Sequence, residues 1–300
     1  MKKIGFLMFT LLVTNISSYS RFDFIQEFRE ISTSIEKSEV SYDSDNLNVR
    51  AVNLTLNSCE SFPYFGQEGS SSKKLVTSIE KGLRKLGQCF ENKDVPNYVH
   101  GKMNKLVSIL SDQEVEKYIT CNFEMANSYI AIATTDEESD SIVRYPQIKK
   151  HPGMIININR VSGNFPLGMT EQQRENTFNF YGGRIPFDII IPGEINPAYH
   201  YISNPMSLVI HEMLHWTDTV HFEEKYPDIV YLTQACCFDQ IGLDEEIKSA
   251  ACESLFNHDL YQENEDTRLR QIEESGVRNL VKIINKDLHR VSNEHRYLQK

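Results

Sequence analysis

The sequence predicts an α+β fold, and three observations predict it. Short runs of alternating or apolar β-type residues fall between positions 50 and 193. A helix apolar on most sides follows at 205–219, and it carries two histidines and a glutamate. Amphipathic helical patterns then fill much of the chain's end. A small sheet with helices packed on it accommodates all three.

The elements are justified in chain order. Lys2 and Lys3, an apolar run from Ile4 to Val13, and the small residues of Ser18-Tyr19-Ser20 have the form of a signal peptide, with cleavage expected after Ser20. The run is too short to remain as a membrane span, and no later stretch is apolar enough for one, so a soluble exported protein is expected. Residues 21–50 are polar. They read as a helix at Phe22–Ile35 followed by a linker or pro-segment. Arg50–Leu56 alternates apolar and polar residues as a strand does. Lys73–Leu86 sets Leu75, Ile79, Leu83 and Leu86 near one helical face. Strands are expected at 129–134, at 153–161 and at 184–193, the last ended by Pro192-Gly193. Asn204 as N-cap and Pro205 at the first helical position announce the apolar helix. Residues 244–257 read as an amphipathic helix. The segment 265–300 reads as helical, with a break near Gly276.

The chemistry concentrates between His211 and His221. His211 and His215 are four apart, so a helix stacks them on one face, with Glu212 beside them. Two imidazoles so placed grip one metal ion, and the glutamate is a candidate base. His221, six residues on, offers a third nitrogen, and catalytic zinc usually takes three protein ligands and keeps a fourth position open. Chance puts these four residues at these spacings in about one such chain in a thousand, which favours a shared task over coincidence. The helix around them is apolar, and buried imidazoles with a buried carboxylate need a partner such as a metal. His100, His151, His200, His258, His289 and His295 show no ligand spacing and read as surface or core histidines.

This segment resembles the metzincin clan of zinc metallopeptidases, whose signature is H-E-x-x-H-x-x-G-x-x-H followed by a methionine turn. His211, Glu212, His215 and His221 match it. Asp218 stands where the clan has glycine, and no methionine follows Met213. The resemblance covers these eleven residues. It implies a divergent, zincin-like catalytic domain over 51–264, with a small mixed sheet and a buried active-site helix. It also implies Zn2+ held by His211, His215 and His221, Glu212 as general base, and a protein or peptide substrate. Aspartate tolerates the left-handed turn that glycine would make. Without a Met-turn, the floor beneath the metal is expected from another segment, Asp228–Phe238. Tyr226 and Tyr231 are candidates to stabilise an oxyanion. Phe187–Ile191 is a candidate edge strand for an extended substrate.

Three other readings remain open at this point. One is a catalytically silent zincin-like binding domain. The second is a zincin whose third ligand is acidic: Asp239, Asp244, Glu245, Glu246 or Glu253. The third is a metal-free structural protein. Composition narrows the field elsewhere. The formal net charge is −11, which disfavours unaided binding to a nucleic-acid backbone. Six cysteines in an exported chain suggest disulfides. The expected pairs are Cys252 with Cys236 or Cys237, and Cys59 with Cys89. A Cys-rich second metal site around Cys236, Cys237 and Cys252 is the alternative.

Overall fold

A computed structural model describes residues 23–43, 46–59, 71–122, 131–133, 152–157, 205–221, 225–238 and 244–285. The signal peptide, the strand at 184–193 with its Phe187–Ile191 edge, the Asn204 cap and Asp239 lie outside the described residues, as do His151, His200, His289 and His295.

The fold is α+β. Helix α1 (Asp23–Lys37) precedes strands β1 (Val40–Asp43), β2 (Asn46–Val49) and β3 (Leu54–Asn57). Two helices follow, α2 (Ser71–Phe90) and α3 (Asn97–Ser111), and then β4 (Lys117–Asn122), β5 (Ala131–Ala133) and β6 (Gly153–Asn157). The second half is helical among the described residues: α4 (Pro205–His215), α5 (Ile229–Cys237), α6 (Glu245–Leu255), α7 (Glu265–Glu274) and a helix α8 over 277–285. The break expected near Gly276 is there, with that glycine at φ +68°.

One mixed sheet runs β1-β2-β3-β4-β6-β5. β1, β2 and β3 form an antiparallel meander, β3, β4 and β6 are parallel, and β5 is antiparallel to β6 and outermost among the described strands. Alternation explains how the meander sits. Leu47, Val49, Leu54 and Leu56 turn inward while Asn48 and Thr55 face the other way, where Thr55 Oγ1 donates to Asn48 Oδ1 at 3.0 Å.

Helix α2 buries the face expected of it, with Leu75, Ile79, Leu83 and Leu86 all at the core. That face meets α1 on one side and α4 on another. Gly82 makes the second contact close. A Cβ there would lie 2.7 Å from Cγ1 of Ile210, the residue just before the first candidate metal ligand. α4 also packs on α5, on α3 and on the edge strand β5. Its far end is tied to the sheet where the fully buried Trp216 donates its indole N–H to the Gly153 carbonyl at 3.0 Å.

Neither 50 nor 264 is a break in the core. Phe24, Phe28 and Ile31 of α1 and Ile272, Val277 and Ile284 near the end share one hydrophobic cluster with the middle of the chain. The polar N-terminal segment thus supplies a packed helix and two strands. Five apolar side chains on one face of α1, Phe24, Ile25, Phe28, Ile31 and Ile35, hold it down.

Three disulfides cross-link the elements: Cys59–Cys121, Cys89–Cys237 and Cys236–Cys252. The last matches expectation. The expected Cys59–Cys89 pair is corrected. Parallel pairing of β3 with β4 brings Cys59, just past β3, to 5.0 Å from Cys121 between Cα atoms. Cys89, on the last turn of α2, faces α5 instead. Cys236, Cys237 and Cys252 are all bridged, which removes the thiolates that a Cys-rich metal site requires. Among the described residues no helix is long and apolar enough to cross a membrane, and three disulfides fit an extracytoplasmic location.

Candidate metal centre

His211 and His215 lie on one face of α4, one turn apart. The helix then stops in three tight bonds: Trp216 N–H to Met213 O, Thr217 N–H to Leu214 O, and Asp218 N–H to His215 O. Asp218 takes the left-handed conformation, φ +56°. The chain turns there as a glycine would let it, at a strain of roughly 1–2 kcal/mol for a non-glycine residue. The reversal brings His221 back over the helix.

The three imidazoles converge. Nε2 of His221 is 3.2 Å from Nε2 of His211 and 3.1 Å from Nε2 of His215. Each ring is held from behind by an acceptor. His211 Nδ1 donates to Gln234 Oε1 at 2.7 Å, and Gln234 Nε2 in turn donates to Ser207 Oγ at 3.0 Å. His215 Nδ1 donates to the Thr219 carbonyl. His221 Nδ1 donates to Asp228 Oδ2 at 2.9 Å. With every Nδ1 carrying the proton, every Nε2 presents a lone pair to the others. Three lone pairs at this separation repel unless a cation lies among them. Ligands about 2.0–2.1 Å from a tetrahedral centre stand about 3.3 Å apart, so the spacing fits a metal ion. His211, His215 and His221 form a group able to hold one.

Burial tunes the groups. It pushes the His215 imidazole down to about 4, helped by His221 nearby, so this ring is neutral and ready to coordinate at neutral pH. Burial pushes the Glu212 carboxyl up to about 8, opposed by the backbone N–H of Ala133, which it accepts. That contact ties Glu212, on α4, to strand β5.

The floor comes from Asp228–Phe238, as expected from the absence of a Met-turn. α5 is buried along its whole length. Tyr231 stacks on His221, with centroids 4.3 Å apart, and meets His211 edge-on at 5.2 Å. Its hydroxyl donates to Asn285 Oδ1 at 3.0 Å. Tyr231 is thus a platform and not an oxyanion donor. Tyr226 is also corrected: it stacks on Tyr98 at 3.9 Å beneath the Arg268 guanidinium, in a cluster of its own. Both tyrosines follow the histidines closely in sequence, but a buried phenol goes where it finds a partner. Of the acidic alternatives, Glu245, Glu246 and Glu253 are exposed on α6, and Asp244 caps that helix by accepting the Glu246 N–H.

Asp228 and Gln234 are the functional residues that sequence reasoning missed. Asp228 does two jobs. Oδ1 caps α5 by accepting the N–H groups of Val230 and Tyr231, both at 3.1 Å, and Oδ2 holds His221. The available signals were slight: an aspartate opening an apolar run, and one glutamine inside IVYLTQACC. Comparisons with family models, curated proteins and solved structures find no match to this chain.

Proposed function

We propose that the chain is an exported zinc metalloendopeptidase. The observation that carries the reading is the convergence of three Nε2 lone pairs, each fixed by an acceptor on the opposite nitrogen. Three imidazole nitrogens suit zinc better than calcium or magnesium, which prefer oxygen. When bound, the ion supplies a Lewis acid that makes water acidic and polarises a carbonyl.

The chain's own residues supply the rest. Glu212, next to the first ligand and held in place by Ala133 N–H, takes a proton from the attacking water and returns it to the leaving amine. A silent metal-binding site has no use for a buried carboxylate there, which favours hydrolysis over a binding module. β5 is the outer strand of the described sheet and touches the metal helix. An extended peptide adding to that edge would lay its scissile bond along the site.

The test is Glu212→Gln. Zinc content measured on the purified mature protein should stay at one ion per chain while hydrolysis of unfolded protein substrates falls by about 10²–10⁴-fold. Activity within about tenfold of the parent would remove Glu212 as the base. A parent chain that takes up no zinc would remove the reading altogether.

A further inference from the structure

We propose that Lys102 and Lys105 of α3 are positioning residues for the metal centre, clamping the turn that aims two of its three histidines. The inference rests on the zinc reading above and extends it to a helix more than a hundred residues away in sequence.

The two lysines are three apart on α3 and reach the same turn. Lys102 Nζ donates to the Thr217 and Asp218 carbonyls, each at 2.9 Å. Lys105 Nζ pairs with the Asp218 carboxylate. Inside the turn, Thr217 Oγ1 donates to Leu214 O at 2.7 Å and lies 2.9 Å from Thr219 Oγ1. Thr219 then offers its carbonyl to His215 Nδ1. The turn therefore does two things at once. It orients His215 directly, and it sets the direction in which the chain returns to present His221.

A glycine would make this turn without help. Asp218 needs its left-handed backbone held, and its side chain is what Lys105 grips. The clamp thus replaces the conformational freedom of glycine with two cations from a rigid helix. Lys105 and Asp218 are partly exposed, 39% and 32% at the side chain. An ion pair that wet adds little to global stability. Its effect is on where the turn sits, and metal geometry is sensitive to small displacements of ligands.

The experiment measures zinc affinity and metal-free melting temperature for Lys102→Met, Lys105→Met, Asp218→Asn and Asp218→Gly, and for Lys105→Met in the Asp218→Gly background. Lys105→Arg is the conservative control. The expected result is that Lys102→Met, Lys105→Met and Asp218→Asn each weaken zinc binding by about tenfold or more. Metal-free melting should hardly move, and Lys105→Arg should retain most of the affinity. Lys105→Met should add nothing once Asp218 is glycine. Should either lysine variant fold poorly, Asp218→Asn breaks the ion pair while leaving α3 intact. Variants that bind zinc as the parent does, or a Lys105→Met loss undiminished in the glycine background, overturn the clamp and leave the metal reading standing. A parent chain that binds no zinc overturns both.

Discussion

Asp228 shows how much one carboxylate decides at the residue scale. One oxygen caps α5, and the other fixes the His221 tautomer. Asp228→Asn separates these jobs. The amide oxygen still caps the helix, so its NH2 is what faces His221 Nδ1. That nitrogen must then accept, which moves the ring proton to Nε2, the atom that faces His211 and His215. Zinc affinity should fall by about 10–100-fold with little change in helix content, as titration calorimetry and circular dichroism would report. Unchanged affinity would mean that His221 does not depend on this hydrogen bond. His221→Ala should cost more, because it removes a ligand. Glu245→Ala, Glu246→Ala and Glu253→Ala, exposed on α6, should leave affinity as it was. The reverse order would move the third ligand to α6.

The decisive contact at the element scale is α2 against α4. Gly82 lets α4, which carries His211 and His215, lie close enough for Ile210 to touch the α2 backbone side. Gly82→Ala brings two opposing effects. Alanine favours a helix over glycine by about 1 kcal/mol. A Cβ 2.7 Å from an inner side-chain carbon must displace Ile210, and overpacking of this kind costs about 1–3 kcal/mol. The strain should win, so the variant should unfold at lower urea concentration and bind zinc more weakly, since His211 follows Ile210. A rise in stability would show that α4 can shift freely. Helix α3 and strand β4 go beyond the elements read from the sequence. The apolar positions Val99, Met103, Leu106, Val107 and Leu110 do carry a helical period, but Pro96 and Gly101 sit within five residues of each other at its start and mask it.

At the scale of the whole molecule, the disulfides hold the floor of the site in place. Cys89–Cys237 joins α2 to α5 across 148 residues, and Cys236–Cys252 joins α5 to the next helix. α5 carries Gln234 and Tyr231, so both links bear on the histidines. Replacing Cys89 and Cys237 together by serine should lower unfolding free energy by about 2–4 kcal/mol and weaken zinc binding. Opening Cys59–Cys121, which joins β3 to β4 away from α5, should cost stability with less effect on zinc. Equal effects on zinc would show that the floor is not held through α5.

His211, Glu212, His215 and His221 were legible in the sequence because spacing along one helix and one turn is local information, and local geometry follows from covalent connectivity. The same holds for the left-handed Asp218, for the Cys236–Cys252 link over 16 residues, and for the need of a substitute floor. Asp228's grip on His221, the Gln234 contact, the Lys102–Lys105 clamp and the Cys89–Cys237 and Cys59–Cys121 pairings were decided only by tertiary structure. Each joins residues brought together by packing, between helices or between parallel strands. No periodicity within a single segment encodes which distant face it will meet. The tyrosines illustrate the difference: proximity in sequence pointed to the metal, whereas the hydrogen bond to Asn285 and the stack on Tyr98 set where their hydroxyls and rings lie.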